Sequence, residues 1–312
     1  MKKKYRLITR NGLDGLMCGV LLNKMNLIED ILFVHPKEMD LNKIKVTKND
    51  IIANLPPKKD AFLSFDNHAT EITSIEPNII LRKDKLSVAR IIYHYFKDED
   101  FSKFEEDLDY VDKIISYKFI EEDILNLEKW HLFNTLIDPR TGLERLINKN
   151  ISHSKFQLSI DFIDNLENEG IESFLEHQDL KERKKVLDFS KELYEDQTEK
   201  NIVFLENNIA LLDKRKEEQI YPGSRFYPFL LKSDEEIHYL IELIEGKGKI
   251  DNEERITITI NLNPFIRIRK KNLGEVISKY HNGGGNKYAA SCQIKKVDLK
   301  PFIEGLLKDL NY

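Results

Sequence analysis

"AFLSFDNHATE", residues 61–71, carries an apolar run straight into an acid, an amide and a histidine. A short apolar run of this kind, bounded by turn residues, reads as a buried strand whose last residues emerge at the edge of a sheet. Comparable runs precede it: "YRLITR" (5–10), "DILFVHP" (30–36) and "DIIANLP" (50–56), with a helical stretch beginning near Leu16 between the first two. "NIILRK" follows near position 80. Then comes "SVARIIYHYF" (87–96), where Val88, Ile91, Ile92, Tyr95 and Phe96 recur at helical spacing behind Ser87, an N-cap residue. Short strands alternating with helices predict an α/β fold with a mostly parallel sheet flanked by helices. Ligands of such sheets bind outside the carboxyl ends of the strands, where the loops converge.

The chain has 312 residues, which suggests two domains more readily than one. From about 101 to 200 it is rich in Glu, Lys and Leu at helical spacing, and its charge runs read as solvated helix faces. After about Asn201 the runs "NIVFL", "IALLD", "IHYLIELIE" and "RITITINLN" read as strands separated by turn signals. The expected division is therefore residues 1–200, including the helical connecting segment, and a smaller α/β domain with a mixed sheet over 201–312.

A net charge of -5 argues against a broadly basic surface that would hold an extended nucleic-acid duplex by phosphate neutralisation. Cys18 and Cys292 stand far apart without zinc-ligand spacing, which suits a reducing, cytoplasmic setting. The basic start "MKKK" is followed by no continuous apolar region, and no apolar run is long enough to span a bilayer.

Three polar clusters fall at strand ends: Asn11, Gly12, Asp14 and Gly15; Asn54; and Asp66, Asn67 and His68. "TRNGLDG" (9–15), "NLPP" (54–57), "FDNHATE" (65–71) and the distal "GGGNKYAAS" (283–291) together resemble the DHH phosphoesterase superfamily with its associated C-terminal domain, in the exopolyphosphatase-like or manganese-pyrophosphatase-like branch. "SVARIIYHYF", "DPRTGL", "YPGSRF" and "SCQI" fit the same branch, so the resemblance covers nearly the whole chain in order.

The resemblance implies a hydrolase in which two divalent ions, manganese or magnesium, flank a water that attacks phosphorus. It also shows where this chain departs from the family. Its first motif, His-x-Asp-x-Asp, gives Arg10, Gly12 and Asp14 here. Arg10 repels a metal and suits a phosphate oxygen. The second motif's Asp is Asn54, and the Asp-His-His of the third is Asp66, Asn67 and His68. The fourth motif's Asp aligns with Ile115, with Asp112 about one helical turn away as the substitute if the register slips. The implied metal ligands are thus Asp14, Asp66 and His68, with Asn54 as a weak oxygen donor, and two carboxylates balance two dications poorly.

In the second domain "HNGGGN" (281–286) has two readings. Its glycines end a helix and form a turn through positive φ, or they let backbone N–H groups approach a phosphate. The family's histidine after the glycines is Asn286 here. Gly283, Gly284, Gly285 and Asn286, with Arg225 and Arg267, are the implied substrate-binding residues; the bland reading of the two arginines is a pair of surface cations.

Three functions stay open at this point. The chain is a DHH-type protein with a degraded two-metal site that binds a small phosphorylated ligand or nucleotide in an interdomain cleft, with weak or no catalysis. Or it is an active metal-dependent phosphoesterase, acting on polyphosphate, pyrophosphate, a short oligonucleotide or a cyclic dinucleotide through Asp14, Asp66 and His68. Or it is a non-catalytic partner-binding protein. A homodimer is compatible with each.

Overall fold

The computed structural model describes residues 3–67, 76–147, 154–205, 207–231, 236–250, 253–266, 271–280 and 283–311. The chain divides into two compact units. The first comprises Met1–Lys118, Leu127–Pro139 and Ile147–Lys185, and the second Phe119–Asn126, Arg140–Leu146 and Val186–Tyr312. No helix among the described residues is long and apolar enough to cross a membrane.

The first unit holds a five-stranded, wholly parallel sheet of β1 (Tyr5–Thr9), β2 (Ile28–Phe33), β3 (Asp50–Ala53), β4 (Leu63–Asp66) and β5 (Ile79–Leu81). Its spatial order is β2-β1-β3-β4-β5, so the winding direction reverses between β1 and β3. That reversal opens a crevice at the carboxyl ends of those two strands. β3 and β4 are buried throughout, as expected for inner strands of a parallel sheet.

The helices are α1 (Leu13–Lys24), α2 (Pro36–Asp40), α3 (Val88–Tyr95), α4 (Glu105–Ile115), α5 (Glu122–Leu125), α6 (Lys129–Ile137), α7 (Lys155–Leu175) and α8 (Gln178–Asn201). Every residue of α1 from Leu13 to Leu22 is buried, the composition of a helix enclosed on all sides rather than on one face. It approaches α7 closely: a Cβ on Gly19 would lie 2.6 Å from Ile163 Cδ1. α7 carries a break at Gly170, whose φ of 73° suits glycine. Trp130, Phe133, Phe162 and Phe174 form an aromatic cluster between α6 and α7, with Phe133 and Phe162 stacked at 4.4 Å. Trp130 is thus a packing residue, as its helix spacing suggests.

The second unit holds a six-stranded mixed sheet of β6 (Ile202–Leu205), β7 (Ile209–Asp213), β8 (Tyr239–Ile250), β9 (Glu253–Leu262), β10 (Gly284–Gly285) and β11 (Ala289–Lys295), in the order β10-β11-β9-β8-β7-β6. Only the β7–β8 pair is parallel. In β9 the alternation of Ile and Thr sorts the two faces: Ile256, Ile258 and Ile260 are fully buried, while Thr257 and Thr259 remain partly exposed. Each buried isoleucine contributes about 2 kcal/mol of hydrophobic stabilisation. The isoleucine face joins Leu273, Val276 and Ile277 of α9 (Leu273–Ser278) and Phe302, Leu306 and Leu310 of α10 (Leu299–Asn311) in one core.

The positive-φ reading of the glycine triplet does not hold. Among the described residues only Gly142 and Gly170 are glycines with positive φ, and Gly284–Gly285 form a strand at the sheet's edge. Space explains two of the three glycines. A Cβ on Gly283 would lie 2.1 Å from the Ile277 carbonyl oxygen, and one on Gly285 2.3 Å from that of Ala289, whereas Gly284 faces open space.

Candidate functional site

Strand register aligns three of the sequence-derived residues at the sheet's carboxyl edge. Thr9 pairs with Ala53, and Ala53 with Phe65, so the residues that follow them, Arg10, Asn54 and Asp66, stand in one row across β1, β3 and β4. The row lies beside the crevice opened by the winding reversal. Arg10 is exposed, while Asn54 and Asp66 are buried. Asn54 has a φ of 57°, in the left-handed region that asparagine tolerates best among residues with side chains. Its amide donates to the Phe65 carbonyl at 3.1 Å, which fixes it against the end of β4.

The turn from β1 into α1 is tight. Gly12 donates to the Arg10 carbonyl at 2.9 Å and stands at the N-cap of α1 in extended backbone, without a side-chain cap. Gly15 is required by proximity: a Cβ there would lie 2.0 Å from the Arg10 carbonyl oxygen. Thr9 Oγ1 donates to the Ala53 carbonyl at 2.9 Å, tying the end of β1 to that of β3. Ser159 Oγ lies 2.9 Å from Asn11 Oδ1, bringing α7 to the same corner.

Asp14 is 2% exposed, and both of its carboxylate oxygens accept from backbone amides at the start of α3: Oδ2 from Val88 and Oδ1 from Ala89, each at 2.9 Å. The first amides of a helix have no partner within the helix and sit at the positive end of its dipole, so a buried carboxylate is well stabilised there. Ser87 completes the cap, its Oγ accepting from the Arg90 amide at 3.1 Å, in agreement with the sequence-based N-cap.

Asn67 turns to the segment before α3. Its Nδ2 donates to the carbonyls of Lys85 (3.2 Å) and Leu86 (3.0 Å). A histidine has no group with two hydrogens to spend on both carbonyls. Asp112, the substitute considered for the fourth motif, is engaged elsewhere. Its Oδ2 accepts from Arg90 Nε at 2.8 Å, and the same guanidinium reaches Glu105 and Asp109 at 2.6 Å each. Asp112 Oδ1 is buried without a hydrogen-bond partner. His68 and Arg267 lie outside the described residues.

Among the described residues, the sequence-derived ligands offer two divalent ions little countercharge: their carboxylates are Asp66 at the sheet edge and Asp14 on α1, and both oxygens of Asp14 already accept from peptide N–H groups. Among the described residues no group of three or more His, Cys, Asp or Glu side chains is arranged to hold a metal.

In the second unit, Arg225 Nη1 donates to Asn261 Oδ1 on β9 at 3.1 Å, and Asn261 pairs with Ala289 of β11, the strand beside β10. Arg225 and the glycine strand therefore belong to one end of one sheet. Asn286 closes the turn that follows the glycines, its Oδ1 accepting from the amides of Tyr288 (2.8 Å) and Ala289 (3.0 Å). This is an Asx turn, a local reason for an asparagine at that position.

Sequence reasoning reached the strand-end residues but not their partners. The amides of Val88 and Ala89, the carbonyls of Lys85 and Leu86, Arg90 and Ser159 all come from distant stretches. The one signal in that neighbourhood was Ser87, whose cap marks where the amides of α3 begin.

The two α/β units, with polar residues gathered at the parallel sheet's carboxyl edge, define a DHH-type phosphoesterase architecture, and the chain belongs to the DHH phosphoesterase superfamily as a divergent member. It is similar over its full length to the solved structure of a pGpG-specific phosphodiesterase, PggH, from Vibrio cholerae: 34% identity, 99% of each chain covered and a TM-score of 0.77. The RecJ structure in complex with Mn2+ from Thermus thermophilus covers 98% of this chain and 52% of its own, at 11% identity and a TM-score of 0.48. CDC45 from Entamoeba histolytica gives 11% identity, with 98% of this chain and 95% of its own covered and a TM-score of 0.44. No family model matches the sequence, and no curated protein does.

Proposed function

We propose that this chain binds a short 5′-phosphorylated dinucleotide, of the linear kind on which its relative of 34% identity acts, at the carboxyl edge of the parallel sheet, and turns it over slowly if at all. One observation carries this reading. Two of the family's metal-bearing positions are engaged with the fold: both oxygens of Asp14 with the amides of α3, and the Nδ2 of Asn67 with the carbonyls of Lys85 and Leu86. Arg10 stands in the same row as Asn54 and Asp66, and a guanidinium offers a phosphate two parallel donors without any metal.

Calorimetry with pGpG in EDTA, beside chromatographic assay of its hydrolysis with Mn2+ or Mg2+, tests the reading. The expected result is metal-independent binding that Arg10→Ala weakens at least tenfold, with little GMP formed. Absence of binding overturns it, as do two stoichiometric Mn2+ ions with turnover that Asp66→Ala abolishes.

The full-length similarity to a pGpG-specific phosphodiesterase supports a second reading, an active enzyme holding a divalent ion at Asp14, Asp66 and His68. The same assay decides between the two.

A further inference from the structure

Beside the row of site residues stands an aromatic pair that packing does not account for. Phe33 ends β2 in register with Thr9, and the amide of Val34 donates to the Thr9 carbonyl at 2.9 Å, so Phe33 sits one strand from the turn that begins at Arg10. Phe156 meets it edge to face, with ring centroids 5.5 Å apart and planes at 82°. Phe156 lies in the first turn of α7, and Ser159, one turn further on the same helix, reaches Asn11. Two separate elements, β2 and α7, thus bring aromatic rings to the corner where β1 turns into α1.

Phe156 is 50% exposed, and Phe33 is only partly buried. A phenylalanine placed for core packing would be enclosed, as Phe133 and Phe162 of the neighbouring cluster are at 0%. Adjacent parallel strands lie about 5 Å apart, so the backbone of Phe33 stands one strand spacing from Thr9, the residue before Arg10. Nucleobases stack on exposed aromatic faces whatever their sequence, because every base presents a π-face. An edge-to-face partner behind the exposed ring holds it in one orientation.

We infer that Phe156, backed by Phe33, is a stacking platform for a base of the bound nucleotide, next to the phosphate position at Arg10. The inference rests on the nucleotide-binding reading above and adds the subsite that separates a nucleotide from a bare phosphate compound. Arg10 by itself favours any phosphate. Stacking makes the base count.

The test measures binding of two probes, pGpG and an abasic 5′-phosphorylated dinucleotide, to the full chain and its variants. Phe156→Ala is expected to weaken pGpG binding about tenfold, within the range for loss of one base-stacking ring, and to leave the abasic probe unchanged. Phe156→Trp is expected to retain pGpG binding. Phe189→Ala, which removes the ring of a 75% exposed residue on α8, serves as the control and is expected to change neither. The inference is overturned if Phe156→Ala binds pGpG within twofold of the unaltered chain, or if it weakens both probes equally. If the unaltered chain binds the abasic probe as tightly as pGpG, the stacking platform alone falls; if it binds neither, the nucleotide reading falls with it.

Discussion

Replacing Asp14 by alanine separates a carboxylate that serves the fold from one that waits for an ion. Its oxygens accept from the amides of Val88 and Ala89 at 2.9 Å each, and both of those residues are 0% exposed. Hydrogen bonds to a charged group are worth about 1.5–3 kcal/mol each, and a buried amide left without a partner costs about 1–3 kcal/mol. The variant also loses the favourable interaction of a negative charge with the start of α3, about 0.3–1 kcal/mol. Against these stands the desolvation of a buried carboxylate, which alanine relieves. The net expectation is a loss of about 3 kcal/mol, roughly two orders of magnitude in the folded-to-unfolded ratio. Asp14→Asn keeps one acceptor but turns an NH2 group toward an amide, for a loss of about 2 kcal/mol. Urea denaturation followed by circular dichroism in EDTA reads both. A buried acid held in reserve for metal would behave oppositely, since removing an uncompensated charge stabilises the metal-free protein. Asp14→Ala that equals or exceeds the parent chain in EDTA would refute the tether.

Three further outcomes follow from the geometry. Gly12→Asp returns a carboxylate to the family's first motif, and it is tolerated because the backbone there is extended and an added Cβ meets nothing within 4 Å; denaturation should show a gain of about 0.5 kcal/mol from the new N-cap, and calorimetry tighter Mn2+ binding than the parent chain. Asn67→His should not recover hydrolysis of pGpG, and it should lower stability by about 1 kcal/mol because one of the two carbonyls loses its donor; recovery of turnover by this change alone would mean that the remaining ligands suffice. The thiols of Cys18 and Cys292 are buried, and burial pushes both up, Cys292 to about 12. Neither should react with a disulfide reagent at about pH 8 until the chain is unfolded. The native chain therefore keeps the Cys292 proton where the unfolded chain has lost it, so stability falls as pH rises above the ordinary thiol value of 9.0.

The parts legible in the sequence are those that local pattern decides. Alternation marked β9, helical spacing with Ser87 marked α3, and short apolar runs closing in polar residues marked β1, β3 and β4, together with the residues that end them. What pattern does not carry is who partners whom across the chain. Asp14 and Val88 are separated by 74 positions, and Arg90 and Asp112 by 22, so a carboxylate fit for a metal and one fit for a helix cap look alike in one dimension. The glycine triplet failed for a related reason. Glycine serves both positive φ and close approach, and only the positions of Ile277 and Ala289 show that close approach governs Gly283 and Gly285.

The paired hydrogen bonds from α3 to Asp14 also bear on what holds this corner of the fold together. In many metal enzymes the ion acts as the final fastener, and stripping it loosens the structure because binding energy is also folding energy. Here peptide dipoles face the buried charge of Asp14, so the contact between α1 and the start of α3 has a countercharge of its own within the chain.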